Sequence, residues 1–346
     1  MNTPNDLAFW RRLPKALLHE HLDGGLRPAT LLELCEQAGV ALPVQDADAL
    51  AAWMQANADS GDLVRYLQGF ALTVQAMATP EACERVAFEA AEDARLDGCV
   101  LAEFRMAPLL LEPFGMRPEA VIEATLAGFA RSTLNCGLII CAMRNDTPQA
   151  ALRSAELAVR YQDQGVIGFD QAGPEFGFPP ELLAAAYAQA RKAGLGLTCH
   201  AGEADEGSRV FEAAGIGATR IGHGVRIMTP PDEALAEPWL QQARTLGLHF
   251  EVCPSSNVHT GAVPSLAEHP VRRMLQAGLS VSVSTDNRLM SGVTLSEEMR
   301  RLYAAQGLSA SEAAQLMRHA MRASFLPADA RSAAMEALER WEKALV

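Results

Sequence analysis

The sequence predicts an α/β protein folded as a TIM (β/α)8 barrel. Short apolar, β-leaning runs recur along the chain, and a longer helical pattern follows each run, which indicates parallel strands joined by crossover helices. Most runs follow a turn that contains glycine, such as Leu96-Asp97-Gly98, which suits the end of a helix entering a strand. Polar residues gather where the runs end, and a barrel places its active site at that edge.

Eight candidate strands are present, which is the number that closes such a barrel. In chain order they cover Ala16–Leu22, Cys99–Arg105, Gly137–Arg144, Gly165–Asp170, Gly196–Ala201, Thr219–His223, Gly247–Cys253 and Leu279–Thr285.

The chain between the first two strands is too long for one crossover helix. Helix start signals at Pro28 and at Thr79-Pro80 predict a helical insertion over one mouth of the barrel. The tail from Ser309 to Val346 is also predicted to be helical, and it opens with a capping-box spacing from Ser309 to Glu312. No repeat or flexible linker interrupts the pattern, so residues 1–346 are expected to form one domain of the barrel type.

Composition restricts the class of partner. The chain has 346 residues, 49% of them hydrophobic and 21% charged, as in an ordinary globular protein with a large core. A formal net charge of −13 disfavours nucleic acid and anionic membrane surfaces, so a small neutral substrate is expected. The sequence leaves the oligomeric state open.

The cysteines and the N-terminal region predict a cytoplasmic protein. Seven cysteines form an odd set without a C-x-x-C pair, which indicates reduced thiols buried in the core. The first residues include Asp6, Arg11, Arg12 and Pro14 before any apolar stretch, unlike a secretory signal peptide. No apolar run reaches the ~18 residues of a membrane span.

The segment His19-Glu20-His21-Leu22-Asp23-Gly24 ends the first strand. Alternation along a strand places His19 and His21 on the same face, toward the barrel axis, and Glu20 toward the helices. Two imidazoles on one face can share a metal ion, although two histidines in ordinary hydrogen bonds remain an alternative.

Three other strand ends carry the same kind of residue. His200 lies at the end of the fifth strand with Glu203 just beyond it, His223 ends the sixth, and Asp286 follows the eighth. These ends converge at one mouth of a barrel, and three imidazoles with one carboxylate suit Zn²⁺ with an exchangeable position for water. His249 lies within a predicted strand, whereas surface or capping positions are expected for His259, His269 and His319.

Together these segments resemble the adenosine deaminase family. The blocks that carry the resemblance lie in order along nearly the whole chain: His19-Glu20-His21-Leu22-Asp23-Gly24, Glu103-Phe104-Arg105-Met106-Ala107-Pro108, Gly168-Phe169-Asp170-Gln171-Ala172-Gly173, His200-Ala201-Gly202-Glu203, Gly222-His223-Gly224, Glu251-Val252-Cys253-Pro254-Ser255-Ser256-Asn257 and Ser284-Thr285-Asp286. The set is specific, whereas no single block would be.

The resemblance implies hydrolytic deamination of adenosine, and of 2′-deoxyadenosine, in purine salvage. Hydroxide on one zinc ion would attack purine C6 while Glu203 protonates N1 and His223 orients the hydroxide. The implied zinc ligands are His19, His21, His200 and Asp286. The implied substrate contacts are His21, Asp23 at the ribose 5′-hydroxyl, Gly173 at purine N3 and Ser256 near the leaving ammonia.

Several residues keep a structural alternative. Glu203 could be a first-turn helix acid, Asp23 a cap for the following segment, and Gly173 a turn residue. Asp170 could serve as a strand-end acid instead of acting at the site. Glu251 could orient His223 or form a core salt bridge, and Glu20 requires a cation or an amide partner.

Two positions depart from the family pattern. Asn287 stands where family members often carry a second Asp, and Pro174 stands where an Asp often follows the glycine. Both concern recognition of the purine edge, and Asn287 is expected to donate to N7. A deaminase of adenine or of a modified adenine nucleoside is therefore an alternative.

Two further classes of protein remain possible. Binuclear hydrolases on this barrel commonly carry a modified lysine at the end of the fourth strand, where this chain has Ile167-Gly168-Phe169-Asp170, which favours a single metal. A zinc-binding or nucleoside-binding protein without activity is the other class, but a mere binder has no need of Glu203 as a proton donor.

Overall fold

Eight parallel strands, paired in chain order, form the barrel that the sequence predicts. The computed structural model describes residues 3–345. The strands are β1 (Lys15–His21), β2 (Cys99–Met106), β3 (Asn135–Met143), β4 (Val166–Ala172), β5 (Gly196–Ala201), β6 (Arg220–His223), β7 (His249–Val252) and β8 (Ser280–Val283). All eight predicted strands are confirmed, and their ends lie within two residues of the predicted bounds.

The barrel closes through the segment that follows β8. The Asp286 N–H donates to the His19 carbonyl at 2.9 Å, and the His21 N–H donates to the Asp286 carbonyl at 2.8 Å. The Leu18 N–H also meets Ser284 Oγ at 3.4 Å. The backbone bonds that complete the barrel therefore hold Asp286 beside both histidines of β1.

Helices surround the strands and connect them. They are α1 (Leu7–Arg12), α2 (Pro28–Ala38), α3 (Ala47–Ala58), α4 (Leu63–Gln68), α5 (Phe70–Ala76), α6 (Pro80–Leu96), α7 (Pro118–Ala130), α8 (Pro148–Arg160), α9 (Ala184–Lys192), α10 (Arg209–Gly215), α11 (Ala236–Thr245), α12 (Pro254–His259), α13 (Val271–Gln276), α14 (Arg288–Ser291), α15 (Leu295–Gln306), α16 (Ala310–Ala323) and α17 (Ala328–Leu345).

The predicted insertion consists of α2 to α6. Helices α2 and α6 begin with proline at the first helical position, and Thr79 Oγ1 accepts from Ala82 N–H at 3.1 Å to cap α6. Residues of α4 and α5 line the cavity at the carboxyl ends of the strands. The insertion therefore forms one wall of that cavity, as the sequence predicts.

The C-terminal helices confirm the prediction for the tail up to residue 345, and Val346 lies outside the described residues. The predicted capping box is formed, with Ser309 Oγ accepting from Glu312 N–H at 3.1 Å and the Glu312 carboxylate accepting from Ser309 N–H. Glu103 of β2 accepts from Ser324 Oγ and Phe325 N–H at 2.6 Å each. These bonds attach the segment between α16 and α17 to the barrel.

The cysteines are free thiols, and six of the seven are buried, as predicted. Within residues 3–345, no helix is both long enough and apolar enough to cross a membrane.

The expected surface position for His269 is wrong. Its side chain is only 3% exposed, whereas His259 and His319 are partly exposed. The chain after α12 turns back on that helix, with Val263 N–H donating to the Asn257 carbonyl at 3.0 Å. This return packs His269 against Asn257, a tertiary contact that the local sequence pattern does not indicate.

Glu298 of α15 is a buried carboxyl group that supports α12. Its Oε1 accepts from Ser255 N–H at 3.1 Å, and Oε2 is buried without a hydrogen-bond partner among the described residues. Burial raises the pKa of Glu298 to about 7, and the hydrogen bonds from Ser255 oppose that rise only in part. The folded protein therefore binds a proton at Glu298 more tightly than the unfolded chain does.

We predict that Glu298→Gln stabilises the protein at pH 8 and has little effect at pH 5. The pKa of Glu298 is higher in the folded protein than in the unfolded chain. Ionisation of the wild-type carboxyl group therefore lowers the free energy of unfolding as the pH rises from the unfolded-chain pKa to about 7. The gain at pH 8 should be about 1–3 kcal/mol by urea denaturation. The control is Glu297→Gln. The pKa of Glu297 is lowered by Arg300, opposite to the shift of Glu298, so this substitution should not stabilise the protein at pH 8. A Glu298→Gln gain that does not depend on pH would contradict the prediction.

Candidate active site

A cavity of about 470 Å³ opens at the carboxyl ends of the strands. The predicted site residues that line it are His21, Asp23, Gly173, His200, Glu203, His223, Asp286 and Asn287. The side chain of His19 lies beneath them and is fully buried. Strand ends distant in sequence therefore meet in one cavity, as a parallel barrel requires.

The centre of the site is a cluster of imidazole and carboxylate groups. Ligand atoms of His19, His200, His223 and Asp286 all lie within 4.8 Å of one another. His21 belongs to the same cluster, because its Nε2 is 3.2 Å from His200 Nε2 and 3.6 Å from Asp286 Oδ1. All four predicted ligands thus come together, with His223 as a fifth neighbour.

Buried carboxylates set the orientation of two of the histidines. His19 Nδ1 lies 2.9 Å from Glu251 Oε2, and His200 Nδ1 lies 3.2 Å from Asp170 Oδ1. A carboxylate accepts, so Nδ1 carries the proton in both rings and the Nε2 lone pairs face the cluster. The histidine partner of Glu251 is therefore His19 and not His223, and the alternative of a core salt bridge is confirmed by its ion pairs with two arginines. Asp170 likewise acts at the site through His200.

Arg105 of β2 connects these two carboxylates. Its Nη1 donates to Asp170 Oδ2 and its Nη2 donates to Glu251 Oε2, each at 2.7 Å, and none of the three side chains is exposed. Arg220 donates from Nε to the other oxygen of Glu251. Burial alone would raise the pKa of Glu251, but the charges of Arg220 and Arg105 outweigh it and hold that pKa well below its usual range.

The geometry fits a divalent metal ion. His19 Nε2 is buried and lacks a hydrogen-bond partner among the described residues, although its ring is fixed through Nδ1. Two ligand atoms of a tetrahedral zinc ion lie about 3.3 Å apart, given bonds of about 2.0–2.1 Å. The observed separations from His21 Nε2 to His200 Nε2, 3.2 Å, and from His19 Nε2 to Asp286 Oδ1, 3.4 Å, match that spacing. The donor set of nitrogen and carboxylate oxygen also suits zinc.

Backbone strain coincides with the site. Asp286 and His223 have φ values of 60° and 61°, and they are the only non-glycine residues with positive φ between residues 3 and 345. Such conformations cost on the order of 1–3 kcal/mol and persist where the surrounding structure imposes them. At Asp286 the constraint includes Ser256 Oγ, which donates to Oδ2 at 2.6 Å. Ser256 is fully buried and donates to Asp286, and its expected place near the leaving ammonia stays a prediction.

Glu203 is buried beside the cluster. Burial, followed by the charge of Asp286, raises the pKa of Glu203 to about 7, so the carboxyl group holds a proton at neutral pH far more readily than an ordinary glutamate. Thr260 Oγ1 donates to Oε1 at 3.0 Å, and Oε2 lies 3.6 Å from His223 Nε2. The bond from Thr260 leaves Oε2 as the oxygen that carries the proton.

The sequence analysis missed Glu175, which fixes the loop that carries Glu203. Its carboxylate accepts from four consecutive backbone N–H groups, of Gly202, Glu203, Ala204 and Asp205, at 2.5 to 3.0 Å. The available signal was its position two residues after Gly173, the last residue of a block that carries the family resemblance. Which loop it contacts depends on the spacing of β4 and β5 and cannot be derived from local sequence.

The residues expected to contact substrate line the cavity wall. Asp23 Oδ1 and Asn287 Oδ1 are buried without hydrogen-bond partners among the described residues. Burial raises the pKa of Asp23 to about 6. Gly173 has a φ of 96°, which favours glycine at that turn. Glu20 faces the helices and finds its partners in Thr285 Oγ1, at 2.7 Å, and Arg288.

Comparison with known sequences identifies relatives along nearly the whole chain. The family model described as adenosine deaminase matches residues 14–341. A protein named adenosine deaminase from Mycobacterium sp. (strain JLS) is 45% identical over 352 residues and is covered to 97%, as is this chain. One of the same name from Mycobacterium tuberculosis (strain ATCC 25618 / H37Rv) is 44% identical, with 97% of this chain and 96% of that protein covered.

Solved structures show the same architecture. A zinc-bound amidohydrolase from Burkholderia ambifaria superposes with a TM-score of 0.87 at 25% identity, covering 100% of this chain and 94% of the other. An adenine deaminase from Arthrobacter aurescens superposes with a TM-score of 0.84 at 27% identity, covering 95% of this chain and 99% of the other.

We predict that Glu175→Gln lowers kcat by about 10-fold or more and lowers the free energy of unfolding by about 1–3 kcal/mol. A glutamine amide turns one acceptor into a donor that faces backbone N–H groups, so the loop and Glu203 must move. The checks are steady-state kinetics and urea denaturation.

The matched control is Glu181→Gln, an exposed glutamate in the connection between β4 and α9. It should leave both quantities unchanged. A Glu175→Gln protein with wild-type kcat would show that the loop keeps Glu203 in place without this carboxylate.

Proposed function

Because the chain belongs to the adenosine deaminase family, we propose that it hydrolyses adenosine, and also 2′-deoxyadenosine, to the 6-oxo nucleoside and ammonia. It is a hydrolase of the type that acts on cyclic amidines. The observation that carries the proposal is Glu203, a buried carboxyl group whose pKa is raised to about 7 and which lines the cavity beside the imidazole cluster. A protein that only binds a nucleoside has no use for such an acid.

In the proposed reaction, Glu203 supplies the proton that makes the purine reactive. Attack at C6 places negative charge on the ring, and protonation of N1 neutralises that charge. Thr260 occupies Oε1 of Glu203, so the proton is delivered from Oε2. A carboxyl group with a pKa near the working pH is suited both to give this proton and to recover one afterwards.

His19, His21, His200 and Asp286 would hold one divalent metal ion, which we propose to be zinc. When bound, the ion lowers the pKa of a water molecule and so supplies a hydroxide nucleophile at neutral pH. The remaining neighbour, His223, lies with Nε2 3.6 Å from Glu203 Oε2 and orients the attacking water.

The proposed hydrolysis exchanges the amino group at C6 for the oxygen of a water molecule. The water oxygen forms a bond to C6, the bond from C6 to the amino nitrogen breaks, and the amine leaves as ammonia. The proton of Glu203 stays on N1, one proton of the water goes to the leaving amine, and the other returns to Glu203.

The substrate contacts follow from the cavity wall. We propose that Asp23 binds the ribose 5′-hydroxyl, that the Gly173 N–H donates to N3, and that the amide of Asn287 donates to N7. Asp23 and Asn287 each present a buried oxygen that has no hydrogen-bond partner among residues 3–345, which supports a polar ligand in this part of the cavity. His21 contacts the same cavity.

The direct test is incubation of adenosine, 2′-deoxyadenosine, adenine and AMP with purified protein, read by ultraviolet absorbance and by ammonia release. Both nucleosides should be converted in catalytic amounts. Adenine is included because the similar structure from Arthrobacter aurescens is an adenine deaminase. Faster turnover of adenine than of adenosine would show that the free base is the preferred substrate. Binding without ammonia release from any compound would refute the enzymatic proposal.

We predict that Glu203→Gln lowers kcat by at least ~10², because general acid catalysis contributes about 10²–10⁴. Glutamine keeps the shape and the hydrogen bond from Thr260 but has no proton to give. Nucleoside binding by calorimetry should persist. Glu206→Gln, an exposed glutamate of the same loop, is the control and should react at the wild-type rate. Near-normal turnover of Glu203→Gln would remove Glu203 from this role.

We predict that adenosine is preferred over AMP by about 10-fold or more in kcat/KM. A 5′-phosphate would lie beside the buried carboxylate of Asp23, where like charges repel in a partly dry site. The described residues that line the cavity include no lysine or arginine to offset that repulsion. Asp23→Asn should lower the ratio of kcat/KM for adenosine to kcat/KM for AMP. Equal kcat/KM for both substrates in the wild-type protein would contradict the role of Asp23.

A further inference from the structure

His223 receives its hydrogen bond on Nδ1 from a group unlike those that orient His19 and His200. The latter two rings each meet a carboxylate at Nδ1, whereas His223 Nδ1 lies 3.0 Å from the side-chain amide nitrogen of Asn257. An amide nitrogen donates, so the proton arrangement on this ring is opposite to that on the other two. The direction of this hydrogen bond depends on which end of the Asn257 amide is the oxygen, and the neighbouring groups determine that orientation.

Two independent donors determine which end of the Asn257 amide is the oxygen. The backbone N–H of Cys253 points to Oδ1 at 3.3 Å. His269 Nε2 lies 3.2 Å from the same oxygen. A peptide N–H cannot accept, so a reversed amide would place its NH₂ against the N–H of Cys253.

A second peptide group determines the proton on His269. The backbone N–H of Val271 donates to His269 Nδ1 at 3.2 Å, so Nδ1 is the acceptor and Nε2 carries the proton. Nε2–H then donates to Asn257 Oδ1, which agrees with the orientation derived from Cys253. Asn257 is fully buried and the two histidines are no more than 3% exposed, so water does not compete for these bonds.

We propose that Val271, His269 and Asn257 form a relay that holds His223 as the Nε2–H tautomer and thereby makes it a hydrogen-bond donor to the attacking water. In that tautomer Nε2 has no lone pair for a metal ion, although the ring lies among the metal-binding side chains. His269 and Asn257 are positioning residues, since they act only through His223. The effect on turnover rests on the proposed function, but the tautomer itself does not.

The relay also distinguishes the candidate ligands. His19 and His200 donate from Nδ1 to carboxylates and keep the Nε2 lone pair, whereas His223 accepts at Nδ1 and must keep its proton on Nε2. The partner behind each ring therefore assigns it either to the metal or to the attacking water.

The test is nitrogen NMR of protein labelled with ¹⁵N in the histidine rings, with the His223 signals assigned by their loss in His223→Gln. We expect a pyridine-like shift at Nδ1 and a pyrrole-like shift at Nε2 in the wild-type holoenzyme. A pyrrole-like Nδ1 would overturn the proposal. The spectrum reports the tautomer whether or not adenosine is a substrate, so failure of the relay and failure of the proposed function are distinguishable.

Asn257→Asp is the informative variant. A carboxylate keeps both bonds to Oδ1 but accepts at the other oxygen, so His223 should move its proton to Nδ1. We expect the two ¹⁵N shifts to exchange character and kcat to fall by about 10²–10³, the usual loss for one preorganised donor, with a smaller change in KM. An unchanged spectrum and kcat would overturn the proposal.

Two further variants complete the test. His269→Phe removes one of the two donors to Asn257 Oδ1 and should give a mixture of tautomers with a smaller loss of kcat, whereas an unchanged spectrum would exclude His269 from the relay. His249→Gln is the matched control, because His249 is also buried but bonds to Ser280 and Ser282 instead. It should leave the His223 signals and kcat unchanged. If Asn257→Asp fails to fold, the wild-type spectrum and His269→Phe still decide.

Discussion

The pairing of Arg105 with both Asp170 and Glu251 is the interaction on which the site depends. Each carboxylate also accepts a hydrogen bond from Nδ1 of one histidine, so one guanidinium holds both groups that orient His19 and His200. Breaking a buried pair of this kind costs about 3–5 kcal/mol, because the partner remains charged without a counter-ion. The barrel interior therefore contains a rigid charged layer directly below the reacting atoms.

The groups behind the rings give neighbouring histidines different roles in the proposed reaction. An imidazole backed by a carboxylate presents a lone pair, and one backed by an amide NH₂ presents a proton. His19 and His200 belong to the first kind and His223 to the second. The backbone hydrogen bonds that close the barrel place Asp286 beside His19 and His21, and the Asp286 backbone has a positive φ there. In the proposed reaction, the roles of His19, His200 and His223 thus depend on the groups that bond to their Nδ1 atoms.

The sequence predicted the eight strands and the convergence of the candidate ligands because both follow from local periodicity and from the order of the chain. It could not predict pairings across the barrel. Glu251 was left between orienting His223 and forming a core salt bridge, and its bond to His19 was not predicted because β1 is distant in sequence and meets β7 only through the barrel interior. Glu175 and His269 were missed for the same reason, since each acts on a segment brought to it by a turn or by strand spacing. Ser256 was identified from the family pattern, but its hydrogen bond to Asp286 was not predicted.

In the proposed site, the group behind His19, His200 and His223 decides whether each of these rings binds the metal. A crystal grown with zinc and measured on both sides of the zinc absorption edge tests it directly. We expect one anomalous peak per chain, within bonding distance of Nε2 of His19, His21 and His200 and of the Asp286 carboxylate, with His223 Nε2 farther away. A peak bonded to His223 in place of His21, or two peaks in the cavity, would contradict the claim.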